Sequence, residues 1–434
     1  MNIHALATGR QPLATASKSE LAMPNLWQET AFAGMLLISL TDIYFPSIGL
    51  PILPMVGTAI FVTASFCWPR RVDHVSNVRS RKTTLLALLL TAVYCVSAIW
   101  GLIAYGSGSV KGALGMALGT LILTVVLYQE DNPEYREAIF KFCTRILVFH
   151  LVFWTIQFTV YILGNTYVDL IQPITGVPTR HTIGAGGIDL NLDRCSGLFG
   201  EPAIYATNIY FFVTARLIWT GLRPKLLDFL ALGTMFASLS VTGILLGILV
   251  VVVYFVKALG HIRSSLLVTT VIGIAGLCVA TLTGGEVLDL AIARLTAPSN
   301  DSSTHERFVD TLNTFQNLPE SAQIFGIGVG NVEMAEGRLV NSILVPNGVM
   351  ELLTYFGLIG LAVVIVLYVS LLRLRRVPVY LWLFLLAMLP GGTFFTISMW
   401  WLWQGMMVLG GIDDRMNRSS TGIVPSPMPA HLSG

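Results

Sequence analysis

Apolar runs long enough to cross a bilayer recur along almost the whole chain, and that pattern leaves few folds open. About 20 apolar residues span the hydrocarbon core as a helix. Inside that core the backbone must satisfy its own hydrogen bonds, so helices are the natural solution. Such runs fall at 27–45, 47–68, 84–105, 110–128, 146–164, 203–219, 226–240, 242–257, 265–283, 343–372, 377–394 and 395–411. With 54% hydrophobic and only 12% charged residues in 434, the chain is too poor in charge for a soluble domain of its size. Its mean hydropathy is +0.72. The expectation is an all-α polytopic membrane protein of about twelve transmembrane helices. The membrane domain would occupy 27–411, between a cytoplasmic N-terminal tail at 1–26 and a disordered cytoplasmic tail at 412–434 that is rich in Ser, Pro and Gly.

Two long polar stretches, 165–202 and 284–342, interrupt this procession. With both termini placed in the cytoplasm, 20 of the 26 Lys and Arg fall on the cytoplasmic side, which fits the bias of short loops. The opposite face receives Lys111, Arg180, Arg194, Arg294, Arg307 and Arg338. Both polar stretches therefore lie on the non-cytoplasmic face and carry arginines against that bias. Long loops translocate whatever their charge, so solvation alone accounts for any one of these arginines. The length of the loops and their admixture of Leu198, Phe199, Phe308, Phe315 and Phe325 point further, to segments folded back onto the helices.

The first stretch ends in Asp193-Arg194-Cys195-Ser196-Gly197-Leu198-Phe199-Gly200-Glu201-Pro202, directly before an apolar helix. Proline is favoured at the first helical position, and a carboxylate there meets the positive end of the helix dipole. Glu201 thus reads as a helix-start residue and, compatibly, as a surface carboxylate able to take a proton from a sugar hydroxyl. In the second stretch His305-Glu306-Arg307 precedes Phe308, Leu312 and Phe315 at helical spacing. Then comes Phe325-Gly326-Ile327-Gly328-Val329-Gly330, which reads as a tight turn before the membrane is re-entered and lacks dinucleotide spacing. Guanidinium groups bind phosphate oxygens in pairs, so Arg194 and Arg307 together would suit a pyrophosphate. Within the spans, Glu351 (about two turns into the tenth) and His150 are functional candidates because intramembrane ionisable groups are expensive. Trp400-Trp401-Trp403 reads as an interfacial aromatic belt.

The net charge of +2 gives no basis for nucleic-acid binding. No metal-ligand spacing and no P-loop occurs, so neither a metal nor a bound nucleotide is expected as cofactor. Of the five cysteines only Cys195 falls in a long outer loop, so those loops have no disulfide of their own.

Three segments together resemble the bacterial O-antigen ligase and Wzy-type polysaccharide polymerase superfamily: Arg194 to Pro202, Arg307 to Gly330, and Asn347 to Gly360. In that family a His-Asn pair stands ten residues before a Gly-Leu-Ile-Gly element. Asn347 stands at that distance from Gly357, and Pro346 replaces the histidine, so the histidine's role as base does not carry over. The Arg-x-x-Gly…Glu-Pro form around Arg194 and Gly197 is closer to the polymerases, including those of xanthan-type exopolysaccharide. The resemblance implies a metal-independent, GT-C-like membrane glycosyltransferase at the periplasmic face of the bacterial inner membrane. It implies undecaprenyl-pyrophosphate-linked glycans as substrates. Membrane lipids, a chain-length regulator or co-polymerase and a flippase would be its partners. Arg194 and Arg307 would then hold the pyrophosphate, with Arg338 and Arg294 helping. Glu201 leads as base, with His305 and Glu351 behind it, and Gly197, Pro202, Gly328, Gly330 and Asn347 are motif positions. An O-antigen ligase and a lipid-linked oligosaccharide flippase remain the alternatives.

Overall fold

Helices follow the apolar runs. The computed structural model describes residues 18–41, 43, 52–69, 77–105, 110–164, 166–179, 182–185, 188–258, 311–329, 348–374, 384 and 398–420. Helices α1 (Lys18–Ser39), α2 (Ile52–Cys67), α3 (Asn77–Tyr105), α4 (Val110–Tyr128) and α5 (Pro133–Gly164) precede the first polar stretch. That stretch contains the short α6 (Gln172–Thr175) and two strands, β1 (Thr182–Ala185) and β2 (Ile188–Asp193). Helices α7 (Pro202–Trp219), α8 (Leu226–Ala237) and α9 (Val241–Ala258) follow. After them come α10 (Thr311–Gln316), α11 (Glu320–Phe325), α12 (Gly348–Leu374) and α13 (Ser398–Ser420). The expected span at 265–283 lies outside the described residues, as does that at 377–394 apart from Phe384.

The frame is helical as expected, with two short strands added in the first polar stretch. They form an antiparallel hairpin pairing Ile183 with Leu190 and Ala185 with Ile188. The β-branched Thr182, Ile183 and Ile188 suit it, and the strands are too short to show in a search for apolar runs.

Among the described residues, Lys82–Tyr105, Pro133–Gly164 and Gly348–Leu371 are long and apolar enough to cross a membrane. Ile52–Cys67, Ala117–Tyr128, Leu226–Ala237 and Thr242–Phe255 are shorter apolar helices. Helix α3 turns Leu85, Leu88, Leu89, Val96, Ile99, Leu102 and Ile103 outward. So large an apolar surface is tolerable only against lipid or another apolar partner.

Close approach of helix backbones organises the interior. A Cβ on Gly34 of α1 would lie 2.6 Å from the amide nitrogen of Phe61 on α2, so these two helices touch main chain to main chain. Small residues at helix contacts serve the same end in membrane proteins generally. The tryptophan cluster of α13 is a second organising feature, and it corrects the belt expectation. Trp400, Trp401 and Trp403 are all buried. Trp403 stacks on Phe211 at 4.6 Å and donates its indole N–H to Thr214 Oγ1 at 2.9 Å. Trp401 meets Tyr94 edge-on at 5.5 Å and occupies the space beside Gly119 of α4 that a side chain there would need. The rings act as spacers that fix α13 between α4 and α7.

A buried ion pair closes the far end of α7. Arg216 Nε donates to Asp228 Oδ1 at 2.7 Å, and the side chains are 3% and 0% exposed. Thr144 Oγ1 accepts a further bond from the guanidinium, which also lies over the Phe140 ring. Arg216, counted with the cytoplasmic loop charges in the sequence, is thus a core residue joining α5, α7 and α8. Its net worth is modest, but removing one partner of such a pair costs about 3–5 kcal/mol.

Packing at Gly119 is directly testable. A Cβ there would sit 2.4 Å from Trp401 Cδ1, whereas one at Gly233 meets nothing within 4 Å. Gly119→Ala is expected to lower stability by about 1–3 kcal/mol. Gly233→Ala is expected to leave the thermal midpoint in detergent unchanged.

Candidate functional site

The segment from Arg194 to Pro202 is irregular, yet much of it is buried, so its backbone needs partners. Helix α5 supplies them. Trp154 Nε1 donates to the Cys195 carbonyl at 3.1 Å. Gln157 Oε1 accepts from the amides of Ser196 (2.9 Å) and Gly197 (2.8 Å), while its Nε2 donates to the Val168 carbonyl at 2.7 Å. Gln157 is 1% exposed and holds both arms of the loop at once. Gly197 adopts φ +60°, a conformation that disfavours any Cβ. Phe199, fully buried, covers His150 at 5.0 Å and Tyr205 at 5.9 Å. Tyr205 in turn donates to Thr234 Oγ1 of α8 at 2.7 Å.

Asp169 ties down the other arm. Its Oδ1 accepts from the amides of Ile171 and Gln172, both at 2.9 Å. Its Oδ2 accepts from the Thr179 amide at 2.7 Å and hydroxyl at 3.0 Å. Partial burial opposes ionisation, but these bonds outweigh it and hold the carboxyl below its usual range. Burial, with Asp193 adding to it, pushes the Cys195 thiol up to about 12, so it is protonated at neutral pH.

Arg194 and Glu201 stand at the two ends of this seated segment, each half-buried. Glu201 occupies the N-cap of α7 in extended conformation, φ −144° and ψ 144°, and Pro202 takes the first helical position. The Glu201 carbonyl accepts from Ile204 and Tyr205, both at 3.1 Å, and its carboxylate makes no capping bond. The helix start therefore uses only the backbone of Glu201. Trp154 also lines an apolar groove of about 690 Å³ between α5 and α8, together with Leu151, Val152, Val160, Leu227 and Leu230.

The second polar stretch is seated elsewhere. Helix α12 is broken at Gly357, with φ 63° and ψ −173°. The amide of Ile327 bonds to the Thr354 carbonyl and that of Gly328 to the Tyr355 carbonyl, both at 3.0 Å. Ser97 Oγ also donates to the Tyr355 carbonyl (3.1 Å), and Trp100 Nε1 donates to the Gly326 carbonyl (3.1 Å). Gly326, Gly328 and Gly357 all have positive φ. A Cβ on any of them would come within 2.2–2.5 Å of neighbouring backbone. The glycine run is therefore a backbone clamp on a broken helix, with the amides of Ile327 and Gly328 committed to it.

Glu351 lies in the first turn of α12, nearer the helix start than the apolar run implies, and is 0% exposed. The Tyr94 hydroxyl of α3 interacts electrostatically with its carboxylate and with the Tyr368 hydroxyl. Helix α12 packs on α3, α10 and α11, whereas Arg194 to Pro202 rests on α5 and leads into α7. His150 is a core residue whose Nε2 bonds Ser39 Oγ at 3.0 Å. Arg294, His305, Arg307, Gly330, Arg338 and Asn347 lie outside the described residues.

Gln157 and Trp154 are the residues that the sequence reading passed over. A glutamine inside the apolar run 146–164 was the available signal, since a buried amide demands partners. Comparison with protein-family models, curated proteins and solved structures yields no match in any of the three.

Two outcomes check this seating. Gln157→Leu strands the Ser196 and Gly197 amides, so Cys195 should become reactive to maleimide at neutral pH while staying inert in the wild type. Asp169 has a depressed folded pKa, so its contribution is complete above the ordinary carboxylate range and is lost as pH falls through the folded value. Hydrogen exchange over 166–179 should therefore quicken at acid pH in the wild type. In Asp169→Asn it should already be fast at neutral pH.

Proposed function

We propose that this chain is a membrane glycosyltransferase of the polysaccharide-polymerase type. It would join undecaprenyl-pyrophosphate-linked repeat units into exopolysaccharide or O-antigen at the outer face of the bacterial inner membrane. About twelve spans and a GT-C-like architecture belong to this reading. The observation that carries it is the seating of Arg194 to Glu201 on α5. A guanidinium and a carboxylate stand half-buried at the ends of one segment, and Trp154 connects that segment to an apolar groove. A lipid-linked anion asks for such a combination: a cation for the pyrophosphate and hydrocarbon surface for the chain.

In the reaction, the hydroxyl oxygen of the incoming unit's terminal sugar attacks the anomeric carbon of the growing glycan. The bond from that carbon to the pyrophosphate oxygen breaks, and undecaprenyl pyrophosphate departs with the electron pair. Glu201 takes the hydroxyl proton, a task within reach of a surface carboxylate acting as general base. Arg194, joined by Arg307 and assisted by Arg338 and Arg294, stabilises the charge that develops on the pyrophosphate. Preorganised cations contribute most where charge appears in the transition state. Glu351, in the first turn of α12 and fully enclosed, is a weaker base candidate than Glu201.

A second reading, a flippase or other transporter of lipid-linked oligosaccharide, is favoured by one observation. Broken membrane helices line substrate paths in many secondary transporters, and α12 is broken at Gly357. Gene loss separates the two. Single lipid-linked units should accumulate on the outer leaflet if the chain polymerises them, and on the inner leaflet if it flips them. In the same assay Arg194→Ala should cut polymer yield about 100-fold. Arg194→Lys should restore only part of it, because an ammonium lacks the planar fork. Glu201→Gln should cut the yield by about 100-fold or more. Full polymerisation by membrane-resident Arg194→Ala and Glu201→Gln proteins would remove the assignments.

A further inference from the structure

We propose that α12 is a two-state helix whose break is held by the docked strap of residues 311–329. Docking of the strap and continuity of the helix would then exclude one another. The inference goes beyond either functional reading and depends on neither.

In an unbroken helix the carbonyls of Thr354 and Tyr355 accept from the amides of Leu358 and Ile359, four residues on. Here those same carbonyls accept from Ile327 and Gly328 of the strap. One set of acceptors thus has two competing sets of donors. The competitors are close to balanced in bond number, which is the condition for two discrete states rather than one.

Three features tip the balance toward the broken state. Trp100 of α3 adds a bond to the Gly326 carbonyl that exists only when the strap is docked, and Ser97 of α3 donates to the Tyr355 carbonyl at the break. Gly357 supplies a positive φ that other residues avoid. The third feature is space, since the backbones of the strap and α12 touch. A Cβ on Gly357 would lie 2.4 Å from both Gly326 N and Ile324 O, and one on Gly328 would lie 2.5 Å from Gly101 Cα on α3.

The consequence is a mechanical link between the outer loop and the membrane interior. Glu351 sits in the helical part preceding the break, one turn before the carbonyls of Thr354 and Tyr355 that accept from the strap. When the strap leaves, Gly357 turns helical and the first part of α12 aligns with the second. Whatever binds the loop ahead of the strap therefore biases the position of Glu351 beside Tyr94.

Hydrogen exchange of the full-length protein in lipid nanodiscs, read at two pairs of amides, tests this. The wild type should protect Ile327 and Gly328 more than Leu358 and Ile359. Gly357→Ala should reverse the order, exposing the strap pair about tenfold or more and protecting the helix pair. Should that variant fail to fold, Trp100→Phe removes only the side-chain bond that anchors the strap and should shift the two pairs in opposite directions. Strap amides that become exposed without any gain at Leu358 and Ile359 would mean simple fraying and would overturn the two-state helix. Strap amides that stay protected in a folded Gly357→Ala protein would overturn it equally.

Discussion

Backbone that leaves a helix inside an apolar surround must still find hydrogen-bond partners, and the described residues are organised around that requirement. An unmet buried amide or carbonyl costs about 1–3 kcal/mol, so each irregular segment needs a dedicated acceptor or donor. Gln157 and Trp154 provide them for the first polar stretch. Ile327, Gly328 and Ser97 provide them for the broken α12. Neither loop is draped over the helices as an afterthought.

The same requirement decides what each loop can contribute to chemistry. In the first, the amides are consumed by Gln157, while the Arg194 and Glu201 side chains stand at the two ends of the seated segment. A rigid backbone with its ionisable groups at the margins suits a site that must hold an anion and manage a proton. In the second, the Ile327 and Gly328 amides of the glycine run are spent on α12, so this part of the run is an element of architecture.

Much of the helical frame was legible because apolar runs of helix length admit few alternatives. The helix ends at Tyr105, Tyr128, Gly164 and Trp219 could be read from the sequence. The break in α12 could not, because its neighbours in sequence do not mark it and Gly357 looks like any other helix glycine. What breaks the helix is a segment distant in sequence. The tryptophans of α13 misled for a related reason. Indole suits the membrane interface and also the deepest core, and only Gly119, Thr214 and Phe211 decide between them. The pairing of Glu201 with Pro202 at a helix start was readable from local rules. That Glu201 leaves its carboxylate out of the cap was not, since side-chain direction depends on the seating of the segment before it.

The central claim is that the chain itself joins lipid-linked units, and reconstitution measures it most directly. Purified protein in liposomes, given a synthetic polyprenyl-pyrophosphate repeat unit and no other protein, should convert it into a ladder of longer lipid-linked glycans. Free polyprenyl pyrophosphate should be released at each addition. Unchanged single units, after incubation with protein whose fold is verified by its thermal transition, would contradict the account.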